Sequence, residues 1–113
     1  MIVDAGRILM AAYLKTTFTT AKVGTGGNST SPLADNLDVP IYNVATTERT
    51  SSGSNVVDFK FTITGASLLG NTIRELAIFS ADGNTMLTRI SFDGIGPFNS
   101  GEEVDFYVTI EVE

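Results

Sequence analysis

Apolar and polar residues alternate most cleanly in two runs of this chain. Val57, Phe59, Phe61 and Ile63 alternate with Asp58, Lys60, Thr62 and Thr64; Val104, Phe106, Val108, Ile110 and Val112 alternate with Asp105, Tyr107, Thr109 and Glu111. A period of two with one apolar face predicts half-buried antiparallel strands. Phe61 and Phe106 are the expected core positions, and Phe106, in the middle of a five-residue apolar row, is expected to be the more sensitive to truncation. A third run differs: around Arg74-Glu75, Leu76 and Ile78 fall on one face while Ala77 and Phe79 fall on the other. A strand apolar on both faces must be covered on both, so this one is expected at the centre of a layered sheet. It leads into Ala81-Asp82-Gly83-Asn84 and a second β-branched arm, and Asp-Gly between such arms is a strong hairpin signal.

Residues 4–15 carry the one good helical pattern, with Asp4 expected as N-cap and Lys15 suited to the C-terminal dipole. Ile8, Ala11, Ala12 and Lys15 share a stripe, and Leu9, Met10 and Leu14 widen its apolar surface almost all the way round. Such a helix must pack on a sheet or on another subunit, core packing being the expectation and Ile8, Leu9 and Tyr13 the candidate interface residues. Phe18 to Val23 reads as a short strand ended by Gly24-Thr-Gly-Gly27, followed by a long polar stretch from Asn28 to Asp38 in which Leu33 and Leu37 offer anchors. The whole Thr25–Asp38 segment is expected to be a partner-contacting arm, since long loops in small domains tend to be functional, with a mobile surface loop without a role as the alternative. Asp38 to Thr50 reads as an irregular edge strand broken by Pro40, and Ser51 to Ser54 as a turn. About six strands with Gly-rich turns predict a mainly β chain: an antiparallel β-sandwich with one short N-terminal helix, forming a single domain over residues 1–113.

Charge and composition remove several classes of function. The net charge of −6 repels a phosphate backbone, and five of the 13 acids lie in the last 12 residues, so nucleic acid is not an expected partner. Cysteine and histidine are both absent, which removes disulfides, the usual zinc ligands and every Ser-His or Cys-His mechanism. Met1-Ile-Val-Asp-Ala-Gly-Arg has no basic n-region and is not expected to be a secretory signal. The longest apolar run, Ile8 to Leu14, is far shorter than the ~20 residues of a membrane span, so no membrane contact is expected.

Each candidate for chemistry has a simpler structural reading. Gly24-Thr-Gly-Gly27 lacks the Gly-Lys-Ser/Thr and the following helix of a phosphate loop and reads as a flexible turn. Asp82-Gly83-Asn84 and Asp93-Gly94 lack the twelve-residue ligand series of a calcium loop and read as turns. Glu102 and Glu103 are adjacent on a strand and point apart. Arg74 and Glu75, with Glu48, Arg49 and Arg89 as possible companions, read as a structural ion pair across strands or at a subunit boundary. Asn28-Ser29-Thr30 fits a glycosylation sequon, which means little without a secretory route. No catalytic residue, cofactor site or metal site is expected, and the chain is not expected to be an enzyme.

Three segments in fixed order resemble a group of small tailed-bacteriophage structural proteins. They are the opening Asp4-Ala-Gly-Arg-Ile-Leu9 helix, the strand and loop Ala21-Lys-Val-Gly-Thr-Gly26 followed by Ala34-Asp-Asn-Leu37, and the G-x-T-I-R-E-x-x-x-F-x-x-x-G signature that starts at Gly70. The final strand, Val104 to Val112, matches as well, while Ala77 stands where the group usually has Gly and Ile95-Gly-Pro-Phe98 lacks a basic residue often found there. The resemblance implies a non-enzymatic virion subunit, tail- or fibre-associated, made in the host cytoplasm and acting through assembly. Its implied partners are other virion proteins and itself, a trimer by analogy with fibres and decorations. The alternatives are a capsid decoration protein and, in another class, a carbohydrate-binding module recognising a host-surface glycan. The latter needs exposed aromatics; there is no Trp, and of the three tyrosines only Tyr42 and Tyr107 are expected to face outward. Arg74, Glu75, Leu33 and Leu37 join the helix residues as candidate interface positions.

Overall fold

The two alternating runs become neighbouring strands. The computed structural model describes residues 1–27, 35–46, 54–68 and 70–113, together with the backbone of 48–50. In chain order the elements are α1 (Asp4–Thr17), β1 (Thr20–Gly24), β2 (Pro40–Ala45), β3 (Glu48–Thr50), β4 (Val56–Thr64), α2 (Gly65–Leu68), β5 (Ile73–Phe79), β6 (Met86–Ile95) and β7 (Glu103–Glu111). One antiparallel sheet has the order β2-β1-β5-β6 and the other β3-β4-β7, a β-sandwich with an N-terminal helix, as the sequence predicts.

In the three-stranded sheet Phe61 lies directly opposite Phe106, Phe59 opposite Val108 and Ile63 opposite Val104. The outward faces of the same strands satisfy one another: the Thr62 hydroxyl donates to Asp105 at 2.6 Å and the Thr109 hydroxyl to Asp58 at 2.7 Å. In the four-stranded sheet β5 is central and covered on both faces, as its two-sided pattern requires. Leu76 and Ile78 join the inter-sheet core with Ala21, Val23, Phe59 and Phe61. Ala77 and Phe79 form a second apolar cluster with Leu37 and Met86 on the outer face.

α1 crosses the end of the sandwich at which β4 begins and β7 ends. Ala11 is fully buried there, and Ile8 and Arg7 border a groove with Ser54, Asn55 and Glu111. The Thr17 carbonyl accepts the Ala81 N–H at 3.2 Å, which ties the far end of α1 to the tip of the β5–β6 hairpin.

Local details correct the sequence reading. Val3, not Asp4, takes the N-cap position in an extended conformation and makes no side-chain cap bond. Asp4 is the first helical residue, where its charge suits the dipole, and it pairs with Arg7 at 3.0 Å. The helix runs to Thr17, so the following strand starts at Thr20 and Phe18 becomes a buried helix end. The Asp38–Thr50 run is two strands rather than one: β2 and β3 are edge strands of different sheets. Pro40 opens β2, a position where its missing N–H costs nothing to the ladder. Asp93-Gly94 is not a turn but lies inside β6. Gly94 is needed there because a Cβ would sit 2.5 Å from the Thr72 side chain and 3.1 Å from the Arg74 guanidinium. The sequon Asn28-Ser29-Thr30, Leu33 and the Ser51–Gly53 part of the expected turn lie outside the described residues.

The hairpin forms where Asp-Gly predicts it, but the tight turn has Ala81 and Asp82 at its centre and Gly83 at its end, within a connection from Phe79 to Met86. Gly83 has φ +77° and donates its N–H to the Ser80 carbonyl at 2.9 Å. Asp82 Oδ1 accepts the Ser80 hydroxyl at 2.6 Å and the Asn84 N–H at 2.9 Å. The Ser80 hydroxyl, and after it the Asn84 amide, favour the charged carboxylate and lower the Asp82 pKa below the ordinary aspartate value. A folded pKa below the unfolded one means that this stabilisation is complete above the unfolded pKa and lost as pH falls through the folded one. An NMR titration should place the Asp82 midpoint below that of Asp82 in a short peptide. Coincident midpoints would show that these turn bonds do not persist in solution.

Candidate functional site

Two features stand out once the candidate residues are placed, one internal and one on the surface. The internal one is Glu75. Its neighbour Arg74 is exposed, whereas Glu75 is fully buried, the largest buried charged side chain among the described residues. Its carboxylate accepts three backbone N–H groups: Gly26 to Oε2 at 2.8 Å, Val39 to Oε2 at 2.8 Å and Asp38 to Oε1 at 2.9 Å. The expected ion pair across strands or at a subunit boundary is therefore corrected for Glu75, whose partners are backbone N–H groups and not a cation. Adjacent strand positions diverge, and the anion is held by peptide dipoles from the two described ends of the polar segment.

That clamp explains the glycines. A Cβ at Gly24 would lie 2.5 Å from Glu75 Oε2, and one at Gly26 would lie 2.8 Å from the same atom. Gly24-Thr-Gly26 is thus a close backbone approach to an internal anion rather than a flexible turn. Arg89, on β6, is one of the cations on this side: its Nη1 lies 3.7 Å from Asp38 Oδ1 and 3.4 Å from the Asn36 carbonyl. Between these contacts Leu37, only 5% exposed, rests on the cluster with Ala77 and Phe79. Glu75 and Leu37 are accordingly withdrawn from the surface and correct the sequence reading that made them interface positions. Both described ends of the expected arm are fastened to the body, and its middle, with Leu33, lies outside the described residues.

The surface feature is the outer side of α1. Leu9 is 72%, Tyr13 63% and Met10 46% exposed. With Leu14 and Val112 they line an entirely apolar recess of about 450 Å³. Ile8 is half-buried on the flank beside Asn55 and Glu111. Tyr13, expected to face inward, is thus as open as Tyr107, because the sandwich end takes up the Ala11 side of the helix and leaves the other side bare.

The remaining charged candidates stay local. Glu102 accepts the Asn99 N–H at 2.7 Å in the turn before β7, and the side chains of Glu48 and Arg49 lie outside the described residues. Among the described residues no three acidic side chains are grouped to hold a metal ion, and no helix is long and apolar enough to cross a membrane. No protein-family model matches the chain, and no curated protein is significantly similar to it.

Proposed function

We propose that the chain is a non-enzymatic structural subunit of a tailed-bacteriophage virion, tail- or fibre-associated, that acts through assembly with other virion proteins and with itself. The observation that carries the reading is the bare apolar side of α1, with Leu9, Met10 and Tyr13 exposed on a molecule of net charge −6. A contiguous apolar strip next to polar surroundings is what an assembly contact needs and what a free monomer normally avoids. The ordered resemblance to phage structural proteins supplies the setting. It gains a physical reading here, because Gly24-Thr-Gly26 and the Arg74-Glu75 signature meet in one contact.

A glycan-binding role is less well supported. Sugar recognition by stacking wants aromatics on one platform, whereas Tyr13 sits on α1, Tyr42 on the edge strand β2 and Tyr107 on the outer face of β7 beneath Lys60. Electron micrographs of virions labelled with antibody to this chain test the proposal. Label on tail or fibre is the expected result, label confined to the head would make it a decoration protein, and unlabelled particles would overturn the virion role.

A further inference from the structure

α1 is held to the sandwich by little apolar packing. Within the helix only Ala11 is buried; Ala12 and Leu14 are half-buried, and Leu9, Met10 and Tyr13 are exposed. A helix is ordinarily fixed to its domain by an apolar side laid against the core, and a single buried alanine supplies little of that. Under the first two turns the packing is open. A groove of about 540 Å³ is lined by Asp4, Arg7 and Ile8 of the helix and by Ser54, Asn55, Glu111 and Glu113 of the sandwich end.

The other end of the helix is fastened, and by one element. The Ala81 N–H donates to the Thr17 carbonyl at 3.2 Å, which among the described residues is the only hydrogen bond between α1 and the sandwich. Just beyond the helix, the Thr20 hydroxyl donates to the Ala81 carbonyl at 3.5 Å and the Lys22 ammonium to the Gly83 carbonyl at 3.2 Å. The same ammonium stands 3.9 Å from the centroid of the Phe79 ring, which keeps it over the hairpin. All these contacts reach the tip of the β5–β6 hairpin from the last residue of α1 and the strand that follows it. Phe18, between them, is buried in the inter-sheet core.

We propose that the β5–β6 hairpin tip is a latch for α1. While it is engaged the helix lies on the sandwich end; when it lets go α1 opens as a unit, pivoting at the anchored Phe18, with both sheets intact. The inference concerns how α1 is held, whatever partner its bare side meets, so it and the virion reading can fail separately.

Proline at position 81 of the full-length chain tests the latch, because it separates the latch from the turn. Ala81 is the second residue of the turn closed by the Gly83 N–H and the Ser80 carbonyl, a place where proline is favoured. Its ring removes the N–H that Thr17 accepts and leaves the turn its own bond. Native-state amide exchange of Ala81→Pro should show protection along α1 falling roughly threefold to tenfold, with that of β4, β5 and β7 unchanged. Lys22→Met keeps most of the stem over Phe79 and removes the ammonium, so it should lower the same amides, and the two changes together should lower them most. In the unsubstituted protein the α1 amides should already exchange faster than those of β4 and β5. Protection of α1 that is unchanged in both variants would overturn the proposal. Equal losses in α1 and in both sheets would overturn it as well, making the tip a support of the whole fold. Should Ala81→Pro not fold, as circular dichroism would show, Lys22→Met decides alone by the same outcomes.

Discussion

A Phe61→Ala variant is expected to lose about 3–5 kcal/mol of stability, a large share of the ~5–15 kcal/mol available to a small domain. Phe61 is fully buried on β4, the central strand of its sheet, and stacks on Phe106 with ring centroids 5.1 Å apart. Phe106 in turn lies 6.4 Å from Phe92 on the facing sheet, so truncating Phe61 opens a void in a row of rings that joins the two layers. Phe106→Ala should cost less, because β7 is an edge strand and Phe106 keeps 8% exposure, leaving neighbours freer to close the gap. This reverses the order expected from the apolar row alone. Urea unfolding of both variants measures it, and near-native midpoints for both would mean that the inter-sheet core is not where the structure puts it.

The strand faces were legible because period two is a direct consequence of the pleat. Val57, Phe59, Phe61 and Ile63 all turn inward as their spacing demands, and β5 is central because it is apolar on both sides. The division of the Asp38–Thr50 run between two sheets was not legible. Pro40 marks an edge, but nothing in the local pattern says which sheet receives which half, since that depends on pairing with distant β1 and β4. Asp93-Gly94 misled for a related reason. A glycine demanded by the crossing Thr72 and Arg74 side chains looks, in sequence, like a glycine demanded by a turn.

The candidate surface was half legible. A helix apolar nearly all round announces two partners, but which side takes the sandwich and which stays bare is decided by where Ala11 seats and where Thr17 meets Ala81. Sequence reasoning therefore found Leu9 and Tyr13 while misjudging the exposure of Tyr13. Glu75 was singled out correctly and explained wrongly. The expected cross-strand cation does not reach it: the arginine on the neighbouring strand, Arg89, turns to Asp38 and the Asn36 carbonyl instead. A buried acid beside an arginine invites an ion pair only if the backbone is left out as a possible partner.

Glu75→Gln should cost about 1–3 kcal/mol, and Glu75→Ala more, although neither variant alters the inter-sheet core. The carboxylate offers only acceptors, and three N–H groups point at it, those of Gly26, Asp38 and Val39. Glutamine has nearly the same shape but one oxygen, so its amide group must face at least one of these donors with hydrogens of its own. Alanine leaves all three donors without their acceptor and a cavity beside Gly24 and Gly26, whose missing side chains exist to admit the carboxylate. The effect should be localised as well as large. Amide exchange in Glu75→Gln should lose protection at Gly26, Asp38 and Val39, and around Leu37, under conditions in which the β4–β7 pairing stays protected. Losses of equal size throughout the sandwich would mean that Glu75 supports the fold as a whole and not this contact in particular. A Glu75→Gln protein with native stability and all three amides still protected would rule the clamp out. The contact joins residues 49 positions apart in the chain, Gly26 and Glu75. The glycine loop and the Ile-Arg-Glu signature, weak as separate motifs, are therefore expected to fail together when either side is changed: a side chain at Gly26 should release the same amides as the loss of Glu75.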